Sequence, residues 1–150
     1  MAEGRIAHMP AKPGATLNFV PLDHVAGGIV GLAENMRRAE GGAYHLVSNH
    51  PLPVKALANS IAEFPHFQRP DLVDADSFEP EQLSGVERRL YARVARQYAG
   101  YFLRDPQFDD RGAHEMTGLV CPKTDAEFMR LLIQYCIDTG FLKGASETVA

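Results

Sequence analysis

The chain has 150 residues, a length that fits about one domain with a single core and no more. A hydrophobic content of 45% against 23% charged residues excludes disorder, collagen-like repeats and low-complexity sequence. Fifteen Lys+Arg against nineteen Asp+Glu leave a formal charge of −4, which excludes bulk attraction to nucleic acid.

Residues 1–16 are punctuated by Pro10, Pro13 and Gly14 and read as loop. Leu17 to Leu22 is a short apolar run suited to a buried strand ending near Pro21. Asp23 is placed to N-cap a helix over about His24 to Arg38, with Val25, Ile29, Leu32 and Ala33 at helical spacing and Gly41-Gly42 as its exit. Gly27 and Gly31 each cost that helix roughly 1 kcal/mol relative to Ala, a cost that implies close packing against another element. A second strand is expected at Ala43 to Ser48, which makes a βαβ unit with parallel strands.

Pro51 and Pro53 open a helix from about Val54 to Phe64, with Val54, Leu57, Ala58 and Ile61 on one side. Pro65 to Pro80 reads as an irregular connector. Ser84 and Glu87 have the spacing of a capping box for a helix running to about Leu103, and Thr124 and Glu127 repeat that spacing before the last helix. Phe128, Leu131, Leu132, Tyr135 and Cys136 line one face of this last helix, and Gly140 stands where a terminating glycine belongs. The expected class is α/β: a partial doubly wound parallel sheet of two strands followed by a helical C-terminal cap. Two parallel strands want cover on both faces, so the rest of the sheet is expected from another chain, a second copy or a further portion of the protein.

Two stretches then resemble a known family. Asn18-Phe19-Val20-Pro21-Leu22-Asp23-His24-Val25-Ala26, Ile29 and Ala43-Tyr44-His45-Leu46-Val47 are similar to the distal part of extended short-chain dehydrogenase/reductases, nearest the thioester-reductase and fatty acyl-CoA reductase-like branch. Tyr101, Phe108-Asp109-Asp110, Pro122, Asp125, Phe128, Leu131-Leu132, Tyr135 and Gly140-Phe141-Leu142 resemble the closing helices of bacterial members. The resemblance implies residues 1–66 as the βαβα distal part of a Rossmann-like domain and residues 67–150 as a helical substrate-side subdomain. It implies a loop around Met9 to Asn18 that walls a substrate pocket, with Met9, Asn18 and Pro21 as substrate-binding candidates.

The family's chemistry does not carry over to any position here. Its dinucleotide sits on a Gly-rich strand-to-helix turn, and a Tyr-x-x-x-Lys pair moves the proton. Gly27-Gly28-x-x-Gly31 falls inside a helix, and Tyr44, Tyr91, Tyr98, Tyr101 and Tyr135 are followed at that spacing by Ser48, Ala95, Phe102, Asp105 and Thr139. The expectation is a substrate-side segment of an NAD(P)-dependent reductase acting on acyl thioesters or related carbonyl compounds, with no catalytic or cofactor-binding residues of its own. NAD(P) would be held by an N-terminal Rossmann half. The alternative is a non-enzymatic α/β module that self-associates or binds a partner.

Other polar residues are weaker signals. Arg89, Arg93 and Arg96 share a predicted helix face that suits the phosphates of coenzyme A or an acidic acyl carrier protein. His45 and His50 lack a third ligand at metal-binding spacing, so no metal is expected. His114 and Glu115 read as surface, and Cys121 and Cys136 have no histidine at catalytic spacing. With no apolar leader and no run of 18 apolar residues, neither a membrane span nor secretion is expected, and the expected location is cytoplasmic.

Overall fold

A computed structural model describes residues 7–12, 14–65, 67–95 and 104–142. The chain is mixed α/β, with a parallel two-stranded sheet, several helices and a helical C-terminal part. It divides into two compact units that interleave along the sequence. Unit 1 takes Met1–Leu17, Pro53–Asp105 and Ala126–Ala150; unit 2 takes Asn18–Leu52 and Pro106–Asp125.

In unit 1, β1 (His8–Ala11) pairs in parallel with β4 (Asp71–Asp74), in the register His8 with Asp71 through Ala11 with Asp74. Both strands lie in stretches whose residues read as loop and connector, so the parallel pair is made by other strands than Leu17–Leu22 and Ala43–Ser48. The Asp71 amide donates to the Ala7 carbonyl at 2.7 Å. Because a strand's bonding direction alternates, the nitrogens of His8 and Pro10 then turn away from β4. Pro10 has no N–H to lose there, which is why a proline is accommodated in β1. β2 (Thr16–Leu17) and β3 (Leu52–Pro53) form a second, two-residue pair.

Helix α3 (Val54–Ala62) starts immediately after Pro53, and its first amide donates to the Ala15 carbonyl at 2.9 Å. Val54, Ala11 and Ala15 form a buried cluster, with Met9, Leu17 and Leu72 packed against it. Helix α4 (Gly85–Leu90) opens on Ser84, whose hydroxyl accepts from the Glu87 amide at 3.3 Å, and passes into a π-helical turn at Tyr91–Ala95. Only half of the expected capping box forms, since the Glu87 carboxylate turns to another strand. The remainder of that expected helix, 96–103, lies outside the described residues.

In unit 2, α1 (Leu22–Glu34) begins one residue before Asp23, with Pro21 at the N-cap and no side-chain cap. Asp23 is therefore a first-turn residue, favourable to the helix dipole, and not the cap. The chain continues through α2 (Met36–Ala39) to Gly41, which holds a φ of 77°. The glycines of α1 explain themselves: a Cβ on Gly27 would lie 3.3 Å from the Leu119 side chain, and one on Gly31 would lie 3.0 Å from that of Thr117. The expected apolar face is corrected. Small residues face the packing side toward α5 (Arg111–Thr117), while Ile29 and Val30 are 58% and 56% exposed.

The last helix, α6 (Ala126–Asp138), packs on α3 within unit 1. Its buried positions are Met129 and Ile133, whereas Leu131 and Tyr135 are each 66% exposed, so the covered face is rotated from the expected one. Gly140 follows at a φ of 73° and ends the helix as its position suggests.

Candidate functional site

A concavity of unit 1 opens where β1 and β4 end. A groove of about 560 Å³ is bounded by the Ala11–Ala15 turn, the start of α3 and the Leu72–Asp74 stretch. Placing a cleft at the carboxyl ends of parallel strands follows from geometry, because the chain must turn away there to enter its next element. Gly14 makes that turn with a φ of 80°. Lys12 and Lys55 line the groove, and neither has an ion-pair partner among the described residues. Asp74 stands on the other side, with its carboxylate accepting from the Asp76 amide at 3.0 Å. The groove thus combines apolar walls with two available cations and one carboxylate, a lining suited to an amphiphile with an anionic group.

A second constellation joins the start of β1 to α4. Glu87 is buried, and its Oε1 accepts from the Ala7 amide at 2.9 Å, the His8 amide at 2.8 Å and His8 Nδ1 at 3.1 Å. Burial raises the pKa of this carboxyl, but the two amides and the His8 ring outweigh it and hold Glu87 below its ordinary value. The His8 ring in turn borders a hollow of about 300 Å³ whose walls include Val73, Phe78 and Leu83. Bonds across 79 residues of sequence carry no periodic signal, and nothing in the order of residues pairs His8 with Glu87.

In unit 2 the polar centre is Ser48, which is buried. Its amide donates to Asn18 Oδ1 at 2.9 Å, its carbonyl accepts from Asn18 Nδ2 at 2.7 Å, and its hydroxyl accepts from the His50 amide and the Thr124 hydroxyl. Cys121 is buried beside it; burial pushes the thiol up, with the Ser48 hydrogen bond opposing, so it is not held as a nucleophilic thiolate. Asp109 is held at about 2 by the Arg111 guanidinium, which it grips through both carboxylate oxygens. His114 is exposed, and its Nδ1 lies 3.0 Å from the Leu119 carbonyl. His45 packs edge-on to Phe108. Among the described residues no three His, Cys, Asp or Glu side chains gather as metal ligands.

The substrate candidates fall in different units. Met9 belongs to unit 1 and packs against the Ala11, Ala15 and Val54 cluster. Asn18 and Pro21 belong to unit 2, one tying down Ser48 and the other capping α1. Of the arginines, Arg89 on α4 and Arg93 in the π turn are exposed, and Arg96 lies outside the described residues. Among the described residues no helix is long and apolar enough to cross a membrane.

No family model matches the chain, and no curated protein matches it. A solved structure does: the terminal R domain from the myxalamid PKS-NRPS biosynthetic pathway is similar with a TM-score of 0.62 at 21% sequence identity. The match covers 92% of this chain and 37% of that one, so the likeness is one of fold and the chain spans little more than a third of its neighbour's length.

Proposed function

We propose that this chain is the substrate-side segment of an NAD(P)-dependent reductase that acts on acyl thioesters or related carbonyl compounds. The observation that carries the reading is the fold likeness over 92% of the chain to a terminal R domain, taken with the resemblance of residues 18–47 and 101–142 to thioester reductases. In this reading residues 1–66 are the distal part of a Rossmann-like domain and carry the loop that walls the substrate pocket, and residues 67–150 add the helical substrate-side subdomain. NAD(P) is held by a nucleotide-binding part with a Gly-rich turn and a Tyr-x-x-x-Lys pair, and that part supplies the hydride and the proton.

The contribution of this chain is binding. The groove at the ends of β1 and β4 receives the thioester carrier, with Ala11, Val54 and Leu72 against its apolar part. Lys12 and Lys55 complement phosphate, the anionic group of coenzyme A and of a carrier protein's prosthetic arm. The exposed Arg89 and Arg93 suit the acidic surface of such a carrier.

The test supplies the purified chain with the nucleotide-binding part, encoded either in continuity with it or in an adjoining reading frame. NADPH oxidation with an acyl-CoA is expected for the mixture and for neither part alone. Lys12→Ala with Lys55→Ala is expected to raise KM about tenfold with kcat nearly unchanged, the pattern of lost ground-state binding. A mixture that leaves NADPH untouched with acyl-CoA and acyl carrier substrates overturns the reading.

A further inference from the structure

Unit 1 has another concavity, and its lining differs in charge from that of the lysine groove. The hollow of about 300 Å³ beside His8 is walled by Val73, Phe78 and Leu83, with His8, Ser77, Glu79 and Gln82 as its polar side chains. No Lys or Arg among the described residues lines it, whereas Lys12 and Lys55 line the groove. Phe78 is itself held in place, because its ring packs against Tyr91 with centroids 5.0 Å apart. A hollow of this size stands at the small end of ligand pockets and has room for one ring with a short chain.

The hydrogen bonds already made decide what the polar side chains have left to offer. Glu87 Oε1 accepts from the Ala7 and His8 amides and lies 3.1 Å from His8 Nδ1. A carboxylate oxygen that accepts two amide hydrogens can accept a third but has none to give, so Nδ1 carries the ring proton. The neutral His8 ring is then left with a bare lone pair at Nε2, which the carboxylate behind it makes more basic. Ser77 gives its hydroxyl hydrogen to the Asp74 carbonyl at 3.2 Å, and Gln82 Nε2 donates to Glu79 Oε2 at 2.7 Å. Apart from the second hydrogen on Gln82 Nε2, the lining has only acceptors left, and one of them, the Glu79 carboxylate, is charged.

We infer that the hollow beside His8 binds a small organic amine in its ammonium form, which gives its N–H groups to His8 Nε2 and the Glu79 carboxylate and lays its apolar body against Val73, Phe78 and Leu83. An anion would meet lone pairs of its own kind. A plain hydrocarbon would strip water from these acceptors without replacing the lost hydrogen bonds. An ammonium supplies several donors at one point and balances the charge of Glu79, and an aromatic wall favours a cation over an anion. The inference stands on this lining alone and makes no use of the reductase reading.

The experiment titrates the full chain with three probes of nearly one shape: phenethylamine, phenethyl alcohol and phenylacetate. It is run at about pH 8, where an ordinary imidazole is neutral and an alkylamine is still charged, and it follows the backbone amide NMR shifts. Phenethylamine is expected to give saturable shifts at Val73, Phe78 and Leu83 with a Kd of about 1 mM, the range open to so small a ligand. The alcohol is expected to bind about tenfold more weakly, and phenylacetate to give no saturable shift. His8→Phe keeps a ring and the backbone amide that Glu87 accepts from but lacks Nε2, and is expected to weaken the amine about tenfold. Glu79 is exposed just before the short turn Pro80–Gln82, so Glu79→Gln is expected to keep the circular dichroism and Tm of the parent. Its affinity for the amine is expected to fall about fivefold, with the lead over the alcohol narrowed. This second variant tests the site even where His8→Phe loosens β1.

The absence of a saturable shift with phenethylamine at about tenfold the expected Kd overturns the inference. So do equal affinities for the three probes, a preference for phenylacetate or the alcohol, and shifts that map away from the hollow. An amine affinity that Glu79→Gln leaves unchanged overturns it as well, because the charge of the lining then has no part in the binding.

Discussion

Two extended segments of this chain have opposite backbone environments. His8–Ala11 finds Asp71–Asp74 on one edge, and its other edge is closed by chemistry: Glu87 takes the Ala7 and His8 amides, and Pro10 offers none. Ala43–Val47 has neither neighbour nor closure among the described residues. A carboxylate and a proline are ways to blunt a sheet edge against unwanted pairing. Their presence on β1 and absence from Ala43–Val47 distinguish a blunted edge from one that has no backbone partner among the described residues.

The largest expected effect breaks this contrast directly. Val73→Pro removes a β4 amide that alternation directs at β1, because the Asp71 amide two residues earlier donates to Ala7. Its cost is expected at about 3 kcal/mol, read as the loss of denaturation midpoint in urea. His45→Pro, a proline placed in an equally strand-like sequence, is expected to change the stability of the isolated chain by less than about 1 kcal/mol. Equal losses in the two variants show that Ala43–Val47 is already paired.

The same contrast explains what the residues reveal by themselves. Ala43–Ser48 reads as a strand because its side chains suit one, yet pairing depends on a partner that local sequence does not encode. β1 and β4 are hidden for the opposite reason. Each has four residues, one interrupted by Pro10 and the other bounded by Asp71 and Asp74, and both signals argue for loop when taken locally. The helices are more legible: α3 begins at Val54, and Gly27 and Gly31 do mark a close approach. The apolar faces of α1 and α6 mislead because hydrophobic spacing identifies a face that wants cover, not one that has it. Lys12 and Lys55 become one groove lining only when β1 delivers its following turn to the start of α3.

Next in size is the closure of the β1 edge. Glu87→Ala strands two amides and the His8 ring, with an expected loss of about 2 kcal/mol. A carboxyl whose folded pKa is depressed contributes stability above its unfolded value and loses it as pH falls through the folded one. Acid titration of the parent is therefore expected to weaken unit 1 over that window. Glu87→Gln, which keeps an acceptor but cannot ionise, flattens this part of the profile; an unchanged profile removes Glu87 as its source.

The tether of the open strand comes next. Asn18→Ala deletes both bonds to Ser48 and is expected to cost about 1.5 kcal/mol in unit 2, with faster exchange at the Ser48 amide. Asn18→Asp falls between parent and Asn18→Ala, since a carboxylate still accepts from the Ser48 amide but cannot donate to its carbonyl. If Asn18→Ala leaves Ser48 protected, the strand is held by something other than this carboxamide.

The smallest effect tests whether α6 is held to α3 by charge or by packing. Arg130 Nε and Glu63 Oε2 are 2.6 Å apart, but the two side chains are 46% and 49% exposed, so water and salt screen the attraction. Arg130→Ala is expected to cost about 0.5 kcal/mol at low ionic strength and nearly nothing in 1 M salt. Met129 and Ile133, buried on the same helix, carry the larger share: Ile133→Ala is expected to cost several times as much and to be insensitive to salt. A salt-resistant loss on removing Arg130 would place its aliphatic stem, not its charge, in the α3–α6 contact. That outcome sharpens the difference between the units, because the unit with the closed strand edge would then be held at this face mainly by packing, whereas the apolar face of α1 in the other remains open.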